Sequence, residues 1–465
     1  MIKQTLVFLG VAALSAQTLP DTHPLFERDE VHEMFLTFEQ PDWYQQLLAN
    51  FNSVTEDVPY IQASFAWRDV RFEKVGVRIK GNSTARVNSV KKPFRIKFNE
   101  YTKGQKIKGI GSINLNNFNL DPTMAREAPY YELARAAGLK GARMNYAALY
   151  INNQFHGIYF LGEVINDDYI DQHFPKAERD GWLYKGDIGS TFEDRGDEKA
   201  PYARTFEKKT HEDEDDWSDL IRLIAVLNRT PQEDLQAKIS EILDLDSFLT
   251  AMALDNLTLN LDSYVAMSQN FYIYRRPTDN KFEWLVWDPS LAFGAFTGGN
   301  SAEQMRTLPL EWTGTGFGGG GGGGMPPGPG PGGPPPGPGG PGGPGGPGGA
   351  SAARPLATKL WAIPEVKARY REIYKRLYDQ VLDVDKLVMR MNELRTLIRP
   401  WVERDPNKLH TLQQFDAAMT QAAGVPGVPG GPGGPGGGGP GGAAIGVEPL
   451  MRGRVAAVKE LLQQQ

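Results

Sequence analysis

Two glycine- and proline-rich segments limit what this 465-residue chain can fold into. They run from Gly316 to Ala350 and from Gly424 to Ala444, with almost no apolar side chains. Such segments cannot bury enough apolar surface to offset the entropy lost on folding, so we expect two disordered insertions. Apolar residues at three- and four-residue spacing between and after them predict helices. We therefore interpret the insertions as loops within one fold.

The first 17 residues predict export. Lys3 supplies a positive charge, the run from Thr5 to Ala13 is apolar, and Ser15 and Ala16 are small residues suited to cleavage. No other segment approaches the roughly 20 apolar residues needed to span a bilayer. We expect a signal peptide at residues 1–17 and a secreted, cell-surface or periplasmic protein without stable membrane insertion after cleavage. An uncleaved anchor is the alternative.

Composition excludes several classes of function. The chain has no cysteine, which rules out thiolate zinc sites and cysteine nucleophiles. A net charge of −6 argues against a nucleic-acid partner. The six histidines show no HxxxH or HExxH spacing, and the sequence has no GxSxG motif.

The remaining sequence predicts an α+β fold. Strand-like alternation dominates residues 22–165, with a hairpin turn at Asn152-Asn153. A helix interrupts these strands, with Thr123 as a candidate N-cap and Gly138 as a candidate C-terminal stop. Helical periodicity dominates the rest apart from one hairpin, over residues 166–315, 351–423 and 445–465.

That second hairpin, FYIYRR to FEWLVW, has polar residues at its open end. Asp262 and Asn270 precede it, and Asp288 follows it. If the turn centres on Asp279, Arg276 faces Phe282 and Asn270 faces Asp288. Opposed residues have Cβ atoms about 4.5–5.5 Å apart. The amide oxygen and the carboxylate would then share a hard cation such as Mg²⁺.

This order of residues follows the logic of protein-kinase phosphoryl transfer. There an aspartate accepts the hydroxyl proton, while an asparagine and a second aspartate hold the metal ions. A strand lysine paired with a helix glutamate sets the phosphates, and this chain places Lys97 before Glu127. Arg95 shares the strand face of Lys97 and is the alternative. No GxGxxG loop is present, so GNST (81–84) is the candidate phosphate cover.

The combination also resembles a known family. The segments RIKGNST, KKPFRIKF, LNNFNLDPTMAREAPYYELARAAG, YINNQFHGIYFLGEV, LYKGD, DSYVAMSQNFYIY and WDPSLAFG are similar to those of the CotH (spore coat protein H) kinase family. The resemblance implies an atypical protein-kinase-like fold with two lobes, one β-rich and one mainly helical. It further implies binding of ATP with Mg²⁺ or Mn²⁺, and phosphorylation of exported or coat proteins on hydroxyls. Asp262 would be the base, and Asp288 the essential metal ligand.

We assign nucleotide binding to a wider set of residues. Glu163 is included only because the resemblance to the family implies that it lies at the hinge of the fold. The candidates are Lys80, Gly81, Asn82, Ser83, Lys92, Arg95, Lys97 and Glu163.

Each candidate also has a structural explanation. Asp288 would simply cap the turn after its strand, and Asp262 would form a local turn. Lys97 would belong to a solvated basic strand face, and Glu127 would pair with Arg126 on the helix surface.

Departures from the family pattern keep other functions open. Ser290 stands where relatives often have a second acid or amide, which would weaken metal binding. The interval from Asp262 to Asn270 is longer than in kinases, and the two insertions are not expected of the family. The main alternative is a kinase-shaped surface scaffold or adhesin without catalysis. A carboxylate glycoside hydrolase ranks last. The expected partner is an exported protein with Ser or Thr acceptors, and the oligomeric state is left open.

Overall fold

A computed structural model describes residues 23–27, 29–53, 58–81, 83–298, 300–312, 354–421 and 445–464. The signal-peptide prediction and both glycine- and proline-rich segments lie outside these residues. Seven strands form a closed barrel in the order β1-β2-β3-β4-β5-β7-β6. They are β1 (Val31–Thr37), β2 (Ile61–Trp67), β3 (Val70–Ile79), β4 (Phe94–Lys97), β5 (Ser112–Asn116), β6 (Met144–Ile151) and β7 (Gln154–Glu163).

Alternation of apolar and polar residues builds the barrel. Inward residues such as Leu36, Val77, Ile96 and Leu161 form one buried cluster, while their neighbours along each strand face outward. The β6–β7 hairpin turns at Asn152-Asn153, both with positive φ (49° and 64°), as the sequence predicts. A parallel pairing of β1 with β6 closes the barrel.

A second, four-stranded sheet has the order β11-β10-β8-β9. Its strands are β8 (Trp182–Gly186), β9 (Phe206–Lys208), β10 (Phe271–Arg275) and β11 (Phe282–Val286). The β10–β11 hairpin is present as predicted, but its predicted register is wrong by one residue. Arg275, not Arg276, is opposite Phe282.

The turn of this hairpin explains the shift. Arg276 N donates to Lys281 O at 3.0 Å, and Asn280 takes a left-handed conformation with φ 60°. The turn is therefore centred between two residues rather than on Asp279. Extending the ladder outward places Asn270 beside Trp287, so Asn270 and Asp288 are not a directly opposed pair.

Helices make up most of the remainder. They are α1 (Trp43–Asn52), α2 (Glu127–Ala136), α3 (Asp167–His173), α4 (Ser218–Arg229), α5 (Gln232–Ser240), α6 (Leu245–Leu257), α7 (Tyr264–Met267), α8 (Ala302–Arg306), α9 (Pro355–Trp361), α10 (Pro364–Arg376), α11 (Val384–Arg404), α12 (Leu412–Ala417) and α13 (Val447–Gln463). The predicted α+β class is confirmed. Within the described ranges, no helix is long and apolar enough to cross a membrane.

Helix α2 begins at Glu127, four residues after the predicted cap. The preceding turn is held by Asp121, whose carboxylate accepts hydrogen bonds from Thr123 and Arg126. Thr123 caps only its own turn, through the N–H of Ala125. The helix ends at the predicted place, with Gly138 at φ 94° after the final residues.

The C-terminal helices are fastened to the barrel by a buried ion pair. Lys91 Nζ lies 2.5 Å from Asp405 Oδ2, and both side chains are fully buried. The same carboxylate oxygen accepts the backbone N–H of Ile158 in β7 at 3.1 Å. Residues more than 300 positions apart are thereby held in one fold.

Candidate active site between the two sheets

The loop between α6 and β10 positions Asp262. Its carboxylate accepts hydrogen bonds from Gln269 Nε2 at 2.5 Å and from Asn270 Nδ2 at 3.0 Å. Asn270 Nδ2 also donates to the backbone oxygen of Asp262 at 2.7 Å. Ser268 and Asn270 adopt left-handed conformations, which fold the loop back onto itself. Asp262 and Asn270 are therefore neighbours, as the sequence predicts.

Asp288 follows β11 in a left-handed conformation, with φ 51° and ψ 58°. Its backbone N–H donates to the hydroxyl of Tyr131 in α2 at 3.2 Å. Ser290 Oγ donates to Asp288 Oδ1 at 2.8 Å, so this serine orients the carboxylate. The turn and the buried tyrosine together fix the direction of the Asp288 side chain.

Three carboxyl groups from separate segments share this region. Burial raises the pKa of Asp262 to about 7, and the negative charge of Asp288 adds to the rise. Burial raises the pKa of Glu127 to about 8, again with Asp288 as the second cause. Asp288 therefore acts electrostatically on both other acids.

Lys80, at the end of β3, joins this cluster. Its Nζ donates to Asn116 Oδ1 at 2.7 Å, and Asn116 Nδ2 lies 3.2 Å from both carboxylate oxygens of Glu127. Burial lowers the pKa of Lys80 to about 8, while Asp288 and Glu127 oppose that fall. Lys80 is thus linked to Glu127 through a bridging amide.

The predicted pairing of Lys97 with Glu127 is wrong. Lys97 Nζ forms an ion pair with Glu100 at 2.7 Å, and its side chain is 42% exposed. Strand pairing explains the difference, because Gly76 pairs with Lys97 and Ile79 pairs with Phe94. Lys80 lies beside Pro93, so Lys97 is at the opposite end of β4, four residues or about 13 Å away along the strand.

Basic side chains from the second sheet face the same region. Lys185 of β8 pairs with Asp187 and lies 4.0 Å from Glu207 Oε2. Burial would raise the pKa of Glu207, but Lys209, Lys185 and Arg95 together lower it. Arg95, the predicted alternative to Lys97, also acts on the pKa of Lys80.

Sequence analysis assigned no role to Lys185, Asn116 or Tyr131. Lys185 was visible only as part of the LYKGD motif. Its position opposite Tyr272 in the β8–β10 pairing brings it to the site, which depends on long-range strand order. Asn116 and Tyr131 lie within the LNNFNLDPTMAREAPYYELARAAG motif, but nothing in its pattern predicts their contacts.

The predicted phosphate cover is described in part. Gly81 has φ 81°, and an added Cβ would lie 2.5 Å from Thr84 Oγ1, so glycine is required there. Ser83 is exposed. Asn82 lies outside the described residues. Lys92 donates to the backbone oxygens of Ala85 and Val87 at 2.9 and 2.6 Å, holding the loop in place.

Glu163 has a structural partnership. Its carboxylate accepts hydrogen bonds from Arg143 Nη2 at 2.6 Å and from the backbone N–H of Arg143 at 2.6 Å, and it lies 2.9 Å from His173 Nε2. Burial alone would raise the pKa of Glu163, but His173 and Arg143 lower it to about 2. The carboxylate is fully engaged within the protein.

The side chains of this site fit a divalent cation that would take its remaining ligands from a bound nucleotide. In the parts of the chain that the structure describes, no three His, Asp or Glu side chains lie close enough to hold a metal by themselves. Mg²⁺ commonly takes one or two carboxylates from the protein and its other ligands from phosphate and water. Asp288, whose negative charge raises the pKa values of both Asp262 and Glu127, would supply one such carboxylate.

Comparison with known proteins identifies the family. A sequence model described as CotH kinase protein matches residues 77–424, which include every acid and base of this site. The chain belongs to the CotH family. The resemblance predicted from the motifs is thus confirmed, and a β3-end lysine, an α2 glutamate and the Asp262 and Asp288 loops all lie within the CotH region.

Curated CotH relatives are distant. The chain is 24% identical over 208 residues to the inner spore coat protein H of Bacillus subtilis, covering 44% of this chain and 55% of that protein. It is 29% identical over 181 residues to the invasin CotH3 of Rhizopus delemar, covering 37% of this chain and 30% of the invasin. The chain therefore spans about half the length of the bacterial relative and a third of the fungal one.

Proposed function

We propose that this CotH-family chain is an ATP- and metal-dependent phosphotransferase acting on protein hydroxyls. The observation that carries the proposal is the cluster of Asp262, Asp288, Glu127 and Lys80. These four side chains come from four separate segments, and the charge of Asp288 acts on the pKa values of the other three. Perturbed groups gathered in this way are characteristic of functional sites.

The basic side chains give the site its affinity for phosphate. Lys80, held by Asn116, is available to the inner phosphates, and Arg95 and Lys185 extend the positive charge toward the second sheet. A cation bound to Asp288 would neutralise charge that develops on the transferred group. Asn270 would contribute its amide oxygen, since its nitrogen is bound to Asp262.

Asp262 is suited to receive the acceptor proton. Its pKa of about 7 places it near the working pH, where a general base is most effective. The hydrogen bonds from Gln269 and Asn270 hold the carboxylate in one orientation. In the transfer, the acceptor oxygen forms a bond to the γ-phosphorus, the bond to the β-phosphate oxygen breaks, and Asp262 takes the hydroxyl proton.

We further propose that the barrel and the second sheet with its helices act as the two lobes of a kinase-like fold. The site lies between them, since Lys80 and Arg95 belong to barrel segments and Lys185 and Asp288 to the second sheet. An exported, surface-located protein with Ser or Thr acceptors is the proposed partner. Relatives named for the spore coat and for invasion support a surface location.

The test is transfer of radiolabelled γ-phosphate by the purified chain, with Mn²⁺ or Mg²⁺, to itself and to a mixed protein acceptor. Asp288→Asn is expected to abolish transfer. The matched control is Asp279→Asn, in the turn of the same hairpin, where the carboxylate pairs with Arg276. Equal transfer by Asp288→Asn and wild type would refute the proposal.

A surface scaffold without catalysis is the second candidate. It is favoured by the engagement of Asp262 with two amide side chains and by the invasin names of the fungal relatives. Nucleotide with Mn²⁺ raises the melting temperature of a kinase by mass action. A scaffold would show neither this rise nor transfer.

A further inference from the structure

Helix α2 contacts the region of the site through two consecutive tyrosines with different partners. Tyr131 accepts the backbone N–H of Asp288. Tyr130 instead donates a hydrogen bond to Asp255 Oδ1 in α6. Both tyrosines are fully buried, with their rings at 86° to one another. The helix that begins with Glu127 therefore also contacts the Asp288 loop and the end of α6 that leads into the Asp262 loop.

Asp255 in turn holds the loop that carries Asp262. Asn260 Nδ2 donates to Asp255 Oδ1 at 2.8 Å, and the backbone N–H of Asn260 donates to Asp255 O at 2.8 Å. Ser263 Oγ donates to the backbone oxygen of Asn260 at 2.9 Å, closing the turn. Asp262 lies inside this turn.

We propose that Asp255 is a positioning residue through which Tyr130 and helix α2 hold the Asp262 carboxylate at the reacting centre. The inference rests on the proposed phosphotransfer and names the residues that align its base with Glu127. Two donors, the Tyr130 hydroxyl and Asn260 Nδ2, converge on one carboxylate oxygen of Asp255, a residue that is only 6% exposed. Burying a carboxylate is costly, and an apolar residue would fill the same volume without that cost.

The connection has a direct consequence for alignment. A displacement of about 1 Å in a reacting group lowers a rate by as much as a hundredfold. Within this network of Tyr130, Asp255, Asn260 and Ser263, the Tyr130 hydroxyl is the group that belongs to α2. Removing it therefore removes the hydrogen bond that connects α2 to Asp255. The Tyr131 bond to Asp288 is left in place.

The test is Tyr130→Phe, which removes one oxygen atom and keeps the ring. The matched control is Tyr374→Phe, whose hydroxyl donates to Asn256 Oδ1 at 2.9 Å, one residue along the same helix from Asp255. Tyr374 is also fully buried and lies outside the site. Asp255→Asn, which keeps the side-chain volume, is measured alongside.

Two readouts are taken on the full chain. In phosphate transfer, Tyr130→Phe and Asp255→Asn are expected to lower kcat about tenfold with KM for ATP within about twofold of wild type. In hydrogen exchange, protection of the amides at positions 260–268 is expected to fall about tenfold in both variants. Tyr374→Phe is expected to leave both readouts within about twofold of wild type.

The exchange readout decides the coupling by itself. If the amides of residues 260–268 are equally protected from exchange in Tyr130→Phe and Tyr374→Phe, the inference is overturned, whatever the activity of the two variants. If exchange changes but kcat does not, the positioning role is overturned as well. Absence of transfer by the wild-type chain would instead refute the proposed phosphotransfer, and the exchange result would still show whether α2 holds the loop.

Discussion

Replacing Asp288 by asparagine should change stability with a sign that depends on pH. In the metal-free chain, Asp288 repels Asp262 and Glu127 and attracts Lys80. Asparagine keeps an oxygen to accept the Ser290 hydrogen bond, and it tolerates the left-handed conformation at φ 51°. The substitution therefore removes charge with little change in geometry.

The pH window follows from the raised pKa values. Glu127 and Asp262 bind protons more tightly in the folded chain than in the unfolded chain, so folding stability falls as pH rises from about 4 through about 8. At about pH 5 both acids are protonated, and the substitution removes only the attraction to Lys80. At about pH 8.5 both acids are mostly ionised, and the substitution removes two repulsions.

The size of the stability change in Asp288→Asn depends on how strongly Asp288 disfavours the ionised forms of Glu127 and Asp262. A rise in the pKa of Glu127 from 4.5 to about 8 corresponds to ionisation that is about 5 kcal/mol less favourable. Burial is the larger cause, so we assign about 1–2 kcal/mol to Asp288. At about pH 8.5 the melting temperature should therefore rise by about 2–6 °C, and at about pH 5 it should stay level or fall.

Thermal unfolding of the metal-free chain at the two pH values is the assay. Asp279→Asn is the control, because Arg276 helps to keep the pKa of Asp279 below its ordinary value and the group is ionised at both pH values. Its effect should not change with pH. If Asp288→Asn shifts the melting temperature by the same sign and size at both pH values, the claim that Asp288 interacts electrostatically with Asp262 and Glu127 is refuted.

Four further substitutions test the assignments, with Lys97→Met as the control for Lys80→Met. Lys80→Met should lower phosphate transfer at least tenfold, whereas Lys97→Met should leave it within about twofold, in the same radiolabel assay. Asn116→Ala should raise KM for ATP about threefold or more by releasing Lys80, and unchanged kinetics would remove the bridging role. Lys91→Met should destabilise the fold by about 3–5 kcal/mol in chemical denaturation, since it leaves the Asp405 carboxylate buried without its cation.

Local patterns in the sequence predicted local structure well. The turn at Asn152-Asn153 and the helix end at Gly138 depend on residues that favour positive φ, and both are found. The β10–β11 hairpin was predicted from alternation, but its register was not. The turn includes a left-handed Asn280, and sequence alone does not decide whether a turn centres on a residue or between two.

The site was harder to predict because it depends on strand pairing. Asp262, Asn270 and Asp288 were found from their order around one hairpin. Lys97 was predicted as the partner of Glu127, with Arg95 as the alternative, and Lys80 was named only among the nucleotide-binding candidates. Only the β3–β4 register shows that the Lys80 end of these strands meets α2. Asn116 links Lys80 to Glu127 across separate segments, a contact that its motif alone does not predict.

The most direct test of the central claim is a crystal structure of the chain with a non-hydrolysable ATP analogue and Mn²⁺, located by its anomalous signal. The account predicts Mn²⁺ at about 2.0–2.3 Å from the Asp288 carboxylate, with the phosphates against Lys80. Nucleotide and metal bound elsewhere, with Asp288 and Lys80 contacting neither, would contradict it.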